Sequence, residues 1–281
     1  MRWMARRARS VSRRARVLTI LTVLVAALAY GAALVIPATV GAAAVTPASS
    51  PTPSQSPTLS GTGQAFGGVP DVGALFTVNA GKLGQHFCTA SVVHSAGGDL
   101  AVTAAHCMTG VQGQVVFVPG YANGKEPYGA WPVAAVYTDQ GWQSSQNPDD
   151  DVAFLRLSDA SSGVPVEDVT GAERLGTGSP VPALVRVIGY PGDADQPLSC
   201  VNWAKGFSAT QLEFDCDGYT DGTSGGPFLA GASGTSGTSG QGTVIGVIGG
   251  YEQGGNTSEV SYAVAFGAAV SALYHKAETG G

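Results

Sequence analysis

Basic residues are almost missing from this chain beyond its first 16 positions. Of 14 Lys and Arg among 281 residues, seven lie at Arg2, Arg6, Arg7, Arg9, Arg13, Arg14 and Arg16, and no acid precedes Asp71. Without that leader the chain keeps 7 basic against 20 acidic side chains, a net charge of −13. Such a surface repels phosphate backbones, which excludes nucleic acid as a partner. Charge of either sign is scarce at 12%, against 44% hydrophobic residues, a composition that packs a core rather than staying disordered. Cysteine is scarce too. Cys88, Cys107, Cys200 and Cys216 show no Cys-x-x-Cys spacing and no nearby histidine cluster, so no zinc site is expected. Two disulfides suit them, provided that the domain is exported.

The one long apolar run, 17–36, follows the basic leader and holds no charge. Small residues come next, and Ala42-Ala43-Ala44 offers the small-x-small pattern that a signal peptidase accepts. Residues 1–44 therefore read as a secretory signal cleaved near Ala44. An uncleaved anchor with the domain outside is the alternative, because a run of this length can span a bilayer. Ser12-Arg13-Arg14 is a weak twin-arginine match. Residues 45–64 are mostly Pro, Ser, Thr and Gly, with Pro47, Pro51, Pro53 and Pro57 spaced along them. That composition cannot bury a core and reads as a linker or pro-segment.

From residue 65 to 281 the pattern changes to short apolar runs separated by Gly, Pro, Asn and Asp. Strands are predicted at 73–78, 87–93, 100–104, 114–118, 133–137, 152–157, 184–188, 211–214, 227–229, 243–248 and 260–264. One helix is predicted, at 266–277, where Phe266, Ala269, Val270, Leu273 and Tyr274 recur at spacings of three and four. This is an all-β pattern, a barrel or a sandwich with a terminal helix. The Gly-Thr-Ser repeat in 234–239 reads as a hairpin loop.

Three stretches invite chemistry. Asp221-Gly222-Thr223-Ser224-Gly225-Gly226-Pro227 sets a serine among glycines, which free the backbone and remove obstructing side chains. Such a turn can expose the Ser224 hydroxyl and aim the amides of Gly222 and Ser224 at one point. Val102-Thr103-Ala104-Ala105-His106-Cys107 places an imidazole at a strand end. Asp149-Asp150-Asp151 heads the apolar run from Val152 to Leu157. Asp149 and Asp150 suit a solvated acidic turn or a weak calcium loop. Asp151 abuts the strand, where a charge is costly unless something pairs with it.

In that order, Thr-Ala-Ala-His-Cys, Asp-Val-Ala-Phe-Leu and Gly-Thr-Ser-Gly-Gly-Pro resemble the three signature blocks of chymotrypsin/trypsin-type serine proteases. The resemblance covers residues 66–277. It implies two six-stranded antiparallel β-barrels with the site between them, and a C-terminal helix. It implies Ser224 as nucleophile, His106 as general base, Asp151 as its orienting carboxylate, and the Gly222 and Ser224 amides as an oxyanion hole. It implies the Cys88–Cys107 disulfide, leaving Cys200 and Cys216 to pair with each other. It implies a secreted monomer acting on protein or peptide substrates, with no metal or other cofactor. A membrane enters only through an uncleaved leader.

Two departures stand out. Well-known members carry aspartate before the serine, paired with a new N-terminus after zymogen cleavage; here Thr223 stands there and no Ile-Val-Gly-Gly-like start precedes Val72. Activity without N-terminal insertion is expected. Similar substitutions occur in bacterial relatives of glutamyl endopeptidases, to which Gly189-Tyr190-Pro191-Gly192-Asp193 is also similar. Trypsin-like members place an aspartate where Gly218 stands, and glutamate-specific ones a histidine where Ile248 stands. The expected substrate contacts are Gly218, Tyr219, Gly249, Gly250 and Tyr251, with 248–251 as the substrate-carrying strand and an uncharged residue before the scissile bond.

Overall fold

The computed structural model describes residue 59 and residues 61–158, 163–232 and 242–280. The leader, the linker up to residue 58, and the 234–239 loop lie outside them. After β1 (Gln64–Ala65) come β2 (Val72–Asn79), β3 (Lys82–Val93), β4 (Leu100–Thr103), β5 (Gln114–Pro119) and β6 (Trp131–Thr138). A short helix α1 (Gln140–Ser145) then leads to β7 (Ala153–Leu157). Helix α2 (Val166–Thr170) and β8 (Arg174–Leu175) carry the chain into β9 (Ala183–Gly189), β10 (Leu198–Gly206), β11 (Gln211–Asp215), β12 (Pro227–Ala230), β13 (Thr243–Ile248) and β14 (Val260–Ala265). Helix α3 (Ala268–Thr279) ends the described chain.

The strands close into two six-stranded antiparallel barrels. The first runs β2-β3-β4-β7-β6-β5 and returns to β2. The second runs β9-β10-β11-β14-β13-β12 and returns to β9, with β1 on β10 and β8 parallel to β13 outside the ring. Alternation along each strand sends one set of side chains inward. Leu75, Val92, Phe117 and Leu155 fill the first barrel; Val187, Phe214, Phe228 and Ile245 fill the second. A third cluster forms the seam, joining Val72, Phe76, Val102 and Phe154 to Ile188, Tyr190, Val247 and Val264. Each fully buried side chain of this size contributes about 2 kcal/mol, so the seam holds the barrels as one body.

The terminal helix lies two residues later than the 266–277 predicted, and buries Val270, Leu273 and Ala277. It docks on the first barrel: the Tyr274 hydroxyl donates to the His94 carbonyl at 2.6 Å, and the Arg156 guanidinium caps the Ala277 carbonyl. Five elements were not predicted: β10, the helices α1 and α2, and the two-residue strands β1 and β8. In β10 only Cys200 and Ala204 are buried, and Asn202 hydrogen-bonds the Asp215 carbonyl, so small and polar residues hide the alternation. Helices α1 and α2 span 6 and 5 residues, too few to show a helical period. Cys88 is bonded to Cys107 and Cys200 to Cys216, closing separations of 19 and 16 residues. Loops of this size are worth about 3 kcal/mol each in the chain-entropy account.

A buried acid cluster also sits between the barrels. Glu173 is fully buried; its amide donates to the Val92 carbonyl and one carboxyl oxygen accepts the Gly242 amide. Burial, and then the neighbouring Asp71 charge, push the Glu173 carboxyl up to about 9. Glu173 therefore folds in as the acid. A carboxyl that holds its proton in the fold but loses it in the unfolded chain costs stability as pH rises from the unfolded value toward the folded one. The protein is thus expected to lose stability between about pH 5 and pH 9. Glu173→Gln keeps an acceptor for Gly242 and cannot ionise beside Asp71. It should flatten that slope, raising stability at pH 8 by on the order of 2 kcal/mol in thermal or urea melts.

Candidate active site

Strand β4 ends at Thr103, and the chain enters a single 3-10 turn, His106–Met108, whose Cys107 is tied to Cys88 of β3. The turn presents the His106 ring. A second 3-10 turn, Pro148–Asp150, capped by the Asn147 side chain, delivers Asp151 to the head of β7. Asp151 is fully buried, and its carboxylate accepts three N–H groups. Oδ1 takes the His106 amide at 2.8 Å; Oδ2 takes His106 Nδ1 at 2.7 Å and the Gly250 amide at 2.8 Å. Three charge-assisted bonds make a buried carboxylate tolerable. They also fix the ring: Nδ1 carries the proton, and Nε2 is left as the acceptor. A β-carbon on Gly249 would lie 2.9 Å from Asp151 Oδ2, so glycine lets β13 come this close.

The Ser224 turn is held at nearly every other amide. Thr223 N donates to Thr220 O (3.1 Å), Gly225 N to Ile248 O (2.7 Å) and Gly226 N to Thr223 O (2.9 Å). Among the described residues, the Gly222 and Ser224 amides have no backbone acceptor, and both residues line the cleft. Three further contacts lock the turn. The Asp221 carbonyl accepts Gly192 N at 2.7 Å, which turns the Gly222 N–H of the same peptide the opposite way. The Thr89 hydroxyl donates to the Gly222 carbonyl at 3.0 Å, and Thr89 N to the Ser224 carbonyl at 2.8 Å. Gly222 has φ +95°, and a β-carbon there would lie 2.5 Å from Gly192 N.

His106 and Ser224 face one cleft of about 900 Å³. Its walls include Gln85, Phe87, Thr220 and the stretch 252–258. Asp193, Asp221 and Glu252 line it, and no Lys or Arg does. Among the described residues, the one group of His, Cys and acidic side chains close enough to share an ion is Cys88, His106 and Cys107, and its sulfurs are spent in the disulfide.

The structure brings His106, Asp151, Ser224 and Gly222 together, but distributes the expected substrate contacts differently. Tyr219 reaches the cleft wall, although its hydroxyl is buried and donates to the Val187 carbonyl at 2.7 Å. Gly218 is not on the wall; its amide donates to the Ser258 carbonyl. Gly249 and Gly250 pack against Asp151 and Gln211. Tyr251 is 41% exposed and packs on Phe207 and Tyr262 with ring centroids at 5.0 and 4.9 Å. The stretch 248–251, expected to carry the substrate, is not continuous strand. Strand β13 stops at Ile248, Gly250 turns at φ +81°, and Glu252 and Gln253 follow at φ +51° and +53°. Backbone in that left-handed region cannot extend a strand. The wall made instead by 252–258 carried one sequence signal, the turn-forming Gly254-Gly255-Asn256. Asp149 and Asp150 do not form a free acidic turn: Asp149 Oδ1 accepts from Thr210 and Gln211 (both 2.8 Å) and Asp150 from Asn147 (2.7 Å).

Among the described residues, no helix is long and apolar enough to cross a membrane. A family model described as a trypsin-like peptidase domain matches residues 88–247. The protease Anisep from Arthrobacter nicotinovorans is similar in structure, with 26% identity and a TM-score of 0.65, over 78% of this chain and all of its own. The thermostable serine protease AL20 from an extremophilic microorganism gives 27% and 0.63, over 75% of this chain and 98% of its own. A Glu endopeptidase in complex with MPD shares the fold at 13% identity and TM-score 0.61, over 78% of this chain and 97% of its own. Among curated proteins, none matches the sequence.

Proposed function

The chain belongs to the trypsin-like peptidase domain family of serine-protease-type hydrolases, and from that premise we propose that it is a secreted endopeptidase working through Ser224, His106 and Asp151. The buried Asp151 carboxylate, fixing the His106 tautomer beside a serine whose turn leaves two amides unspent, carries this reading. Ser224 Oγ attacks the scissile carbonyl carbon while His106 Nε2 takes its proton. The oxyanion is held by the Gly222 and Ser224 N–H groups, each contributing roughly 3–4 kcal/mol of transition-state stabilisation. Asp151 stabilises the imidazolium. The C–N bond then breaks, the amine leaves with the proton from His106, and water releases the acyl group by the same steps.

Thr223 replaces the carboxylate that would receive a new N-terminus. It is buried, its hydroxyl donates to Thr220 O at 2.7 Å, and a β-carbon on Gly189 would lie 2.8 Å from its own. The turn is thus filled from within, which supports activity without N-terminal insertion. Two disulfides fit an oxidising exterior. The mature protein in the medium should begin near Val45; recovery of the intact leader in membranes alone would refute cleavage.

Substrate preference follows from the cleft. With Asp193, Asp221 and Glu252 on its walls and no cation, an acidic side chain before the scissile bond meets like charge. Internally quenched peptides differing only at that position should be cut internally, with Glu disfavoured against Phe or Lys by about tenfold or more in kcat/KM at low salt. The gap should narrow as salt rises. A preference for Glu would refute this assignment, and release of terminal residues only would refute the endopeptidase.

A further inference from the structure

The loop 190–195, which sets the Gly222 peptide, reaches across the seam. Its Gly192 amide holds the Asp221 carbonyl at 2.7 Å and so orients the Gly222 N–H. The loop is in turn held by the first barrel. Gln85 Nε2 donates to the Gly192 carbonyl at 2.6 Å, and His86 Nε2 pairs with the Ala194 carbonyl at 3.0 Å. The Tyr121 hydroxyl donates to Asp195 at 3.3 Å, and the Asp195 carbonyl accepts Asn123 N at 2.6 Å.

His86 is buried, as is Tyr121 in the same set. Only 6% exposed, His86 packs among the rings of Phe76, Tyr121 and Tyr190, with centroids at 5.5, 5.8 and 6.3 Å. A carbonyl only accepts, so Nε2 carries the proton, and Nδ1 has no partner among the described residues. His86 does not line the cleft. We propose that His86 is a positioning residue for the oxyanion hole: its Nε2–H anchors the 190–195 loop, whose Gly192 amide aims the Gly222 N–H at the reacting carbonyl. The chain thereby fixes its oxyanion peptide through the seam where Thr223 offers no carboxylate for an N-terminal clamp. This role rests on the proposed function of Ser224 and Gly222.

The test compares wild type, His86→Phe and His86→Gln. Phe keeps the ring packing and deletes the donor; Gln restores an N–H near the Nε2 position. With melting temperatures matched, His86→Phe should lower kcat about tenfold or more at a KM within about twofold, since an interaction made only in the transition state is weakened. Affinity for a peptidyl boronic acid, whose adduct places a hydroxyl in the same hole, should fall by a similar factor. His86→Gln should recover most of both. An unchanged kcat in folded His86→Phe, or equal losses in both variants, overturns the role. Should His86→Phe fail to fold, Gln85→Leu decides: a parallel fall in kcat and boronate affinity supports the clamp, and no change overturns it. A wild type that cleaves no peptide and takes no fluorophosphonate refutes the proposed function itself, whereas an active wild type with an indifferent His86→Phe refutes only the positioning.

Discussion

Alanine at Ser224 or at His106 is expected to lower kcat by about six orders of magnitude, and the double variant no further. The reason is that the two act as one unit. Without the hydroxyl, the imidazole has no proton to take; without the imidazole, the hydroxyl remains a weak nucleophile at its free pKa. The activity left, about 10³–10⁴ over water, would come from binding and from the Gly222 and Ser224 amides. Both side chains line the cleft, so neither change opens a cavity in the core; Ser224→Ala should melt close to wild type, whereas His106→Ala, which takes one of three N–H donors from the buried Asp151 carboxylate, should melt lower. Steady-state kinetics on a cleaved peptide checks this. Additive losses would show that the two residues do not share a step.

Asp151→Asn should cost about four orders of magnitude in kcat and should also reduce stability. The native carboxylate accepts three N–H groups on its two oxygens, and an amide offers one oxygen and one NH₂. If the Asn NH₂ faces His106 Nδ1, the ring must move its proton to Nε2, where it can no longer accept one from Ser224. If the NH₂ faces the His106 amide instead, two donors meet in a fully buried space. Either arrangement leaves a buried group unsatisfied, at roughly 1–3 kcal/mol. A pH profile separates the cases: with the wrong tautomer, turnover should be recovered only at high pH. Wild-type activity in Asp151→Asn would remove Asp151 from the mechanism.

Much of this was legible in the sequence because the chemistry is local there. A strand running into Ala104-Ala105-His106, an aspartate abutting β7, and a serine among glycines each announce a short backbone device within a few residues. The barrel strands were legible where the run is almost continuously apolar and buried, as in β7 and β13, and illegible in β10, where Asn202 faces a backbone carbonyl. The wall of the cleft was not readable. Gly249 and Gly250 looked like room for substrate, but their missing side chains make room for Asp151 and Gln211. Nor was the His86 contact readable: it joins a side chain to a carbonyl 108 positions away and leaves no local pattern.

The central claim is that Ser224 is a nucleophile activated by its surroundings, and one measurement reaches it directly. Folded wild-type protein is treated with a fluorophosphonate, and the modified residue is located by mass spectrometry. One equivalent on Ser224, absent from Ser224→Ala and from His106→Ala, is the predicted result. Folded protein that stays unlabelled, or that carries the label elsewhere, would contradict it.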